Sequence, residues 1–445
     1  MAHLNDDPWQ DPAAPWEAAA GQLRMIEAGG LWGPEAPAGF DDVGIERDLL
    51  ADLVLKMANM VPHFTTDWAI ARLCLPRSIV ADVLDGLVEE KQIEIRGHVN
   101  PLSYRFGVTK AGHSRGDRLL EISSYVGPAP VSLEAYTEML DWQLARFPEV
   151  TREDVTAAIR GLVLPEEIAE VAGLAISSGR SLFAYGPPGN GKTSLGRMLH
   201  GALKGSLWIP YCIGVGSHVI RVFDPECHER IEPATADTGL IFDQRWVHIK
   251  RPFIVVGGEL TLDALDLVHG YSRGFYEAPL HMKANGGMFL LDDFGCQHVE
   301  PHELVNRWII PLEHRIDYLT LQTGQQIEVP FRQMLIISTN LNPDEVMTPG
   351  LLRRLGYRLF LDNPSRERYK EIFIRYCQQC GVDLPGDLVA WLLARYDAES
   401  RPLRSCEPRD LVERARDICA YRRQPFLLGR EVMELAWRGY FSNKP

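Results

Sequence analysis

From about residue 41 the chain settles into helical periodicity, with apolar residues three and four apart through IERDLLADLVLKMANM and again through TTDWAIARLCL and PRSIVADVLDGLVEEK. Thr65 or Thr66 is placed to cap the second of these helices, and Pro76 opens the third. Two strand-like runs, QIEIRG and YRFGVTK, follow across the turn-rich HVNPLS, so residues 41–125 predict three helices and then a β-ribbon. Residues 1–40 mix Pro, Ala, Gly and isolated Trp (Trp9, Trp16, Trp32) without period, which predicts a flexible arm whose tryptophans dock locally. Residues 126–148 contain SLEAYTEMLDWQLARF, expected as a linker helix.

Over residues 149–362 the pattern changes again. Apolar runs SLFAY, LWIPYCI, FIVVGG, MFLLDD and MLIISTN alternate with helical stretches, the signature of an α/β core on a parallel sheet. Residues 363–445 are helical throughout, with segments expected near 365–381, 385–397, 408–422 and 429–441, so a helical lid follows the core. The predicted fold class is therefore α/β, with a C-terminal helical lid and, from the order helix-helix-helix-ribbon, an N-terminal winged-helix domain.

Composition narrows the choices. A chain of 445 residues is too long for one core, and 46% hydrophobic with 24% charged residues is ordinary for a soluble protein. No apolar run approaches the roughly 18 residues that would span a bilayer. The early acids and the lack of a signal-type apolar block lead to an expected cytoplasmic location without membrane insertion. A net charge of −14 argues against coating nucleic acid and favours a protein client. A winged helix invites DNA, yet its third helix carries Asp82, Asp85, Glu89 and Glu90 against Arg77 and Lys91, a face that repels phosphate. Arg96, Arg105, Lys110, Arg115 and Arg118 leave weak contact with a DNA backbone open. Eight scattered cysteines read as reduced thiols; Cys377 and Cys380 share a helical pattern with no second ligand pair, so core packing is expected, and Cys227-His228 is weaker still as a metal site.

The chemistry concentrates in SLFAYGPPGNGKTSL. Gly186, Pro187, Pro188, Gly189, Asn190, Gly191, Lys192 and Thr193 complete the pattern GxxxxGK(S/T), after a strand and at the start of a helix pattern, with Ser194 following. Glycines let successive N–H groups face a β-phosphate, Lys192 supplies a cation for the β- and γ-phosphates, and the Thr193 hydroxyl suits Mg²⁺. A second strand, GGMFLLDDFG, ends in two carboxylates: Asp292 is placed to hold Mg²⁺ through its waters, and Asp293 to orient or deprotonate an attacking water. A third, MLIISTNLNP, ends at Asn340, which either contacts the γ-phosphate and its water or forms a turn before Asn342-Pro343.

With these motifs in this order the chain resembles the AAA+ ATPase superfamily over roughly residues 149–445. The matching features are a Walker A loop at 186–194, a Walker B strand ending at Asp292-Asp293, a sensor 1 position at Asn340, LLRRLGYRLFLDNP with Arg353 and Arg354, and EPRDLVERA with Arg409. The resemblance implies that Arg353 or Arg354 is an arginine finger reaching the γ-phosphate of a neighbouring subunit, and that Arg409 is a sensor 2 residue coupling lid angle to nucleotide state. It implies a ring, commonly a hexamer. Asp293 departs from the glutamate usual in the family and is one methylene shorter, which keeps slow turnover in view. The extra chain GGELTLDALDLVHGYSRGFYEAPLHMKANGGMFLLDD is similar to the inserted loop of enhancer-binding, MoxR-like or chelatase-like members, with Tyr271 in GYSRGF as the client-touching tip or a surface hairpin as the alternative. DYLTLQTGQQIEVPF is a second candidate hairpin, turning at Thr323-Gly324. The combination resembles bacterial chaperone-like AAA+ ATPases that carry an N-terminal winged helix.

The expectation is thus a ring ATPase using ATP and Mg²⁺ to remodel a protein partner. The alternatives are a nucleic-acid-associated regulator or loader using the winged helix, and an ATP-dependent switch that hardly turns over. No nuclease, protease or transferase constellation accompanies the motor.

Overall fold

The computed structural model describes residues 24–232, 242–270, 274–347 and 349–441. Three helices come first: α1 (Arg47–Asn59), α2 (Thr66–Leu73) and α3 (Arg77–Glu89). The Thr65 hydroxyl accepts from the Trp68 amide at 3.1 Å, so Thr65 is the cap of α2. Strands Ile93–Asn100 and Ser103–Val108 pair antiparallel, and Phe64–Thr65 adds to the outer edge of the second. Leu50, Val54, Leu73, Val80, Leu84 and Phe106 close a core between the helices and this sheet. A further helix, α4 (Lys110–Ile122), packs back on α1 and brings Arg115 to Asp52 and Glu90, 2.8 Å from each.

Two expectations for the N-terminal half change. Residues Met25–Ala28 and Leu31–Pro34, assigned from sequence to the flexible arm, form an antiparallel pair. They are held because the Trp208 indole donates to the Trp32 carbonyl at 2.8 Å and the Trp32 ring lies 6.0 Å from Trp142. Trp9 and Trp16 lie outside the described residues. The helix expected as a linker, α5 (Leu133–Leu144), instead buries Tyr136, Met139, Leu140 and Gln143. The Gln143 amide both donates to and accepts from the backbone of Trp208, at 3.1 and 2.6 Å, which ties α5 to a strand.

That strand belongs to a β-rich unit that the sequence pattern did not separate from the α/β core. Ser206–Pro210 pairs antiparallel with Trp246–Lys250. A mixed five-stranded sheet runs in the order Val268–His269, Tyr276–Glu277, His218–Arg221, Cys212–Val215, Val131–Ser132. The expected hairpin is present as Ile316–Thr320 and Gln326–Pro330, with Gly324 at φ +83° in its turn. LWIPYCI, expected in the parallel sheet, is divided between two other sheets at Tyr211, whose amide bonds the Arg245 carbonyl. A strand buried on both faces reads as one apolar run whatever its partner, so the pattern alone could not assign it.

The parallel sheet has five strands, β1 (Leu182–Tyr185), β2 (Phe253–Val256), β3 (Met288–Leu291), β4 (Met334–Thr339) and β5 (Tyr357–Phe360), in the order β2-β3-β4-β1-β5. The fold class is accordingly α/β. The fifth strand is the edge run YRLF, where Leu359 is buried and both neighbours face outward. Helix α6 (Lys192–His200) follows β1, and four helices close the chain: α7 (Arg366–Gln379), α8 (Leu388–Ala398), α9 (Glu407–Tyr421) and α10 (Arg430–Tyr440). They share a core of Tyr369, Phe373, Leu392, Leu411 and Trp437, into which Cys377 packs. No helix among the described residues is long and apolar enough to cross a membrane.

Where the first hairpin, the N-terminal helices and the β-rich unit meet, a buried ion pair fastens them. Arg245 bonds Asp243 through Nε (3.1 Å) and Nη2 (2.8 Å) and donates Nη1 to the carbonyls of Val43 and Pro130. Asp243 donates its amide to the Pro34 carbonyl at 2.8 Å. Removing one member strands a buried charge, so Arg245→Ala is expected to cost about 3–5 kcal/mol. Chemical denaturation followed by circular dichroism measures this, and an unchanged midpoint would show the clamp to be dispensable.

Candidate functional site

The carboxyl ends of β1, β3 and β4 converge on one crevice. After the buried run of β1 the chain turns at Gly186, whose φ of +134° is open only to glycine; a Cβ there would also lie 2.4 Å from the Leu361 carbonyl oxygen. Gly189 and Gly191 follow at φ +81° and +86°, and α6 begins at Lys192. Free N–H groups at a helix start, preceded by a glycine loop, make a cradle for an anion. Pro187 is half-buried at the loop, while Pro188 and Ser194 are exposed.

Lys192 is buried, and its ammonium donates to the carbonyls of Gly186 and Pro187, each at 2.9 Å. Burial pushes its pKa down, opposed by the carboxylates of Asp293 and Asp292. The cation therefore rests on the loop's own backbone, within reach of any anion that the loop accepts. Thr193 donates its hydroxyl to Asp292 Oδ1 at 2.8 Å. Ser338, at the end of β4, donates to the same oxygen. A hydroxyl and a carboxylate meeting at the mouth of an anion cradle form a donor set that suits a hard divalent cation.

Asp293 departs from the strand with φ +47°, and this turn carries its carboxylate to Asn340, whose Nδ2 donates to Oδ1 at 2.9 Å. The turn is locked on both sides. Phe294 donates its amide to the Ser338 carbonyl at 2.7 Å, and Thr339 returns its hydroxyl to the Phe294 carbonyl at 2.6 Å. Gln297 reaches back to the carbonyls of Asp292 and Gly257, each at 3.2 Å. Lys192, Thr193, Asp292, Asp293 and Asn340, chosen from three separate segments, thus share one crevice.

The arginines divide differently. Arg354 is tied to Glu313 at 2.9 Å and to the Gly350 carbonyl, whereas Arg353 is exposed and forms no ion pair among the described residues. Arg409 bonds the neighbouring Asp410 at 3.0 and 3.1 Å, and its side chain is 57% exposed, so it is not drawn to the loop. Arg404 is: a Cβ at Gly189 would lie 3.5 Å from its Cδ. Tyr271 lies outside the described residues, but its flank is fixed. Phe275 packs into the N-terminal core, and a Cβ at Gly274 would lie 2.2 Å from the carbonyl oxygen of Ile122 in α4.

Sequence reasoning missed Ser338, Gln297 and Arg404. Ser338 stood in the polar end of MLIISTN with no role attached. Gln297 and Arg404 lie in loops with no periodic or motif signal, and only the fold brings them to the crevice.

A family model described as "Domain of unknown function (DUF8689)" matches residues 365–439, the four closing helices. No curated protein matches the chain. It is similar to solved structures of NtrX from Brucella abortus in complex with ADP, at 15% identity and a TM-score of 0.40 over 75% of this chain and 66% of that one. The same protein in complex with ATP gives 15% and 0.38 over 79% and 73%. The RuvB Holliday junction branch migration motor of Thermotoga maritima gives 14% and 0.35 over 65% and 70%.

Proposed function

We propose that this chain is an ATPase of AAA+ type that binds ATP with Mg²⁺ at residues 186–194, hydrolyses it, and works as a ring, commonly a hexamer, to remodel a protein partner. One observation carries this: Thr193, Asp292, Asp293 and Asn340 meet at the mouth of a complete phosphate loop, joined by hydrogen bonds at 2.8 and 2.9 Å. Each group has a part. The loop amides and Lys192 bind the phosphates, and Lys192 trades the carbonyls of Gly186 and Pro187 for phosphate oxygens. Thr193 and Asp292 would hold magnesium, which supplies charge neutralisation at the phosphates, and Ser338 fixes the Asp292 carboxylate for that task. Asp293 accepts the proton of an attacking water or orients it, and Asn340 holds the Asp293 carboxylate in place.

We assign residues 41–125 to a winged-helix domain that chooses the partner, 149–362 to the nucleotide-binding core with its β-rich additions, and 363–445 to the lid. A protein partner is favoured over DNA because Asp82, Asp85 and Glu89 are exposed on α3, while Arg115 and Arg96 are spent on acids within the domain, Glu90 just past α3 among them. The short reach of Asp293 also supports a slow motor or switch, and a turnover measurement separates that case from a fast one.

Lys192→Ala is expected to abolish ATP binding while leaving the far-ultraviolet spectrum intact, because it removes a phosphate cation and little core volume. Calorimetric titration decides it, and normal affinity in this variant would remove the assigned site.

Arg353 is the finger favoured here, because its guanidinium is exposed and forms no ion pair among the described residues. Arg353→Ala should keep ATP affinity and lose roughly 10³- to 10⁵-fold in turnover, the range of known arginine fingers. Arg354→Ala should act first on stability, through Glu313. Mixing Arg353→Ala with Lys192→Ala should restore partial activity, since some interfaces then pair an intact loop with an intact finger. Demonstrated subunit exchange without any recovery would exclude action in trans.

Of the lid arginines, Arg409 must leave Asp410 to reach a phosphate, whereas Arg404 already borders Gly189. Arg404→Ala is therefore expected to weaken ATP binding more than Arg409→Ala does. The reverse ranking in parallel titrations would return the role to Arg409.

A further inference from the structure

We propose that Asn190 is the positioning residue that transmits occupancy of the phosphate loop to the helical unit; this rests on the nucleotide reading above and deepens it. Asn190 occupies a variable position of the loop pattern, where no particular side chain is demanded by phosphate. Here it is only 4% exposed, and its amide is spent on the helical unit. Nδ2 donates at 2.9 Å to Oδ1 of Asn363, in the short connection between β5 and α7. Oδ1 accepts at 3.2 Å from the amide of Ser405, at the entrance to α9. One planar group thus bonds two places where the helical unit meets the core.

Its neighbour completes the link. Cys406 donates its amide to the Gly189 carbonyl at 2.9 Å, and a Cβ at Gly189 would lie 2.7 Å from the Cys406 sulfur. No slack exists between loop and helical unit at this point. The peptide planes of residues 189–191 must present their N–H groups to an incoming phosphate. Any rotation of those planes moves the Gly189 carbonyl and the Asn190 side chain, and with them the acceptors of Cys406 and Ser405. Loop state and helical position are therefore coupled through three hydrogen bonds, two of them made by Asn190.

Asn363→Ala tests this outside the loop, because it removes one bond and leaves the cradle whole. Asn190→Ala removes two. Amide hydrogen exchange across residues 404–421 is measured with and without a slowly hydrolysed ATP analogue, beside calorimetric affinity. In the natural protein the analogue is expected to change exchange in this segment. Asn363→Ala should still bind it, with affinity changed by less than the roughly fivefold worth of one hydrogen bond. The analogue-dependent change over 404–421 should shrink in Asn363→Ala and vanish in Asn190→Ala. An undiminished change in variants that bind the analogue would overturn the coupling while leaving the nucleotide reading intact. Absence of binding by the natural protein would overturn both.

Discussion

A single carboxylate oxygen, Asp292 Oδ1, accepts from Thr193 at the first turn of α6 and from Ser338 at the end of β4. Three segments more than forty residues apart in sequence are drawn to one atom, and the crevice exists because they are. Hydrogen bonds to a charged acceptor are worth about 1.5–3 kcal/mol each, and their directionality sets where the strand ends sit. With Asp292 so held, Asp293 must turn through a left-handed conformation to leave the strand, and this aims it at Asn340. The strained residue and the exposed carboxylate arise from the same constraint.

A second constraint is burial between units. The β-rich unit, the first hairpin and the N-terminal helices share the Arg245–Asp243 clamp, and Phe275 enters the N-terminal core from the chain that leads back toward β3. The strand leading to Asp292 is thereby continuous, through some twenty residues, with the domain assigned to partner choice. That continuity provides a physical route between the two ends of the molecule. Coupling along it requires an element with two arrangements.

Local patterns carried a large part of this structure. The phosphate loop was legible because glycines, Lys192 and Thr193 are contiguous and their chemistry is fixed by the backbone they occupy. The two carboxylates and Asn340 were legible because each closes an apolar strand. The four closing helices and the three of the N-terminal domain followed from period, since a helix buries a stripe that repeats every three to four residues. What the pattern misassigned was LWIPYCI, whose apolar character recorded burial and not partner, and α5, whose amphipathic face recorded contact with something and not with what.

The amino-acid sequence by itself determined the glycine loop and the groups placed to meet a phosphate, because their placement follows from short-range backbone geometry. Tertiary structure alone decided which polar groups complete them. Ser338 and Gln297 acquire their partners across 46 and 40 residues, just past the end of β3 and in the loop after β2, and Arg404 borders Gly189 of the phosphate loop from 215 residues away. It also separated paired arginines of equal appearance, tying Arg354 to Glu313 while Arg353 is exposed and forms no ion pair among the described residues. Hydrogen bonding and ion pairing fall off within a few ångströms, so a residue's role is set by its neighbours in space, and for these side chains the neighbours are distant in sequence.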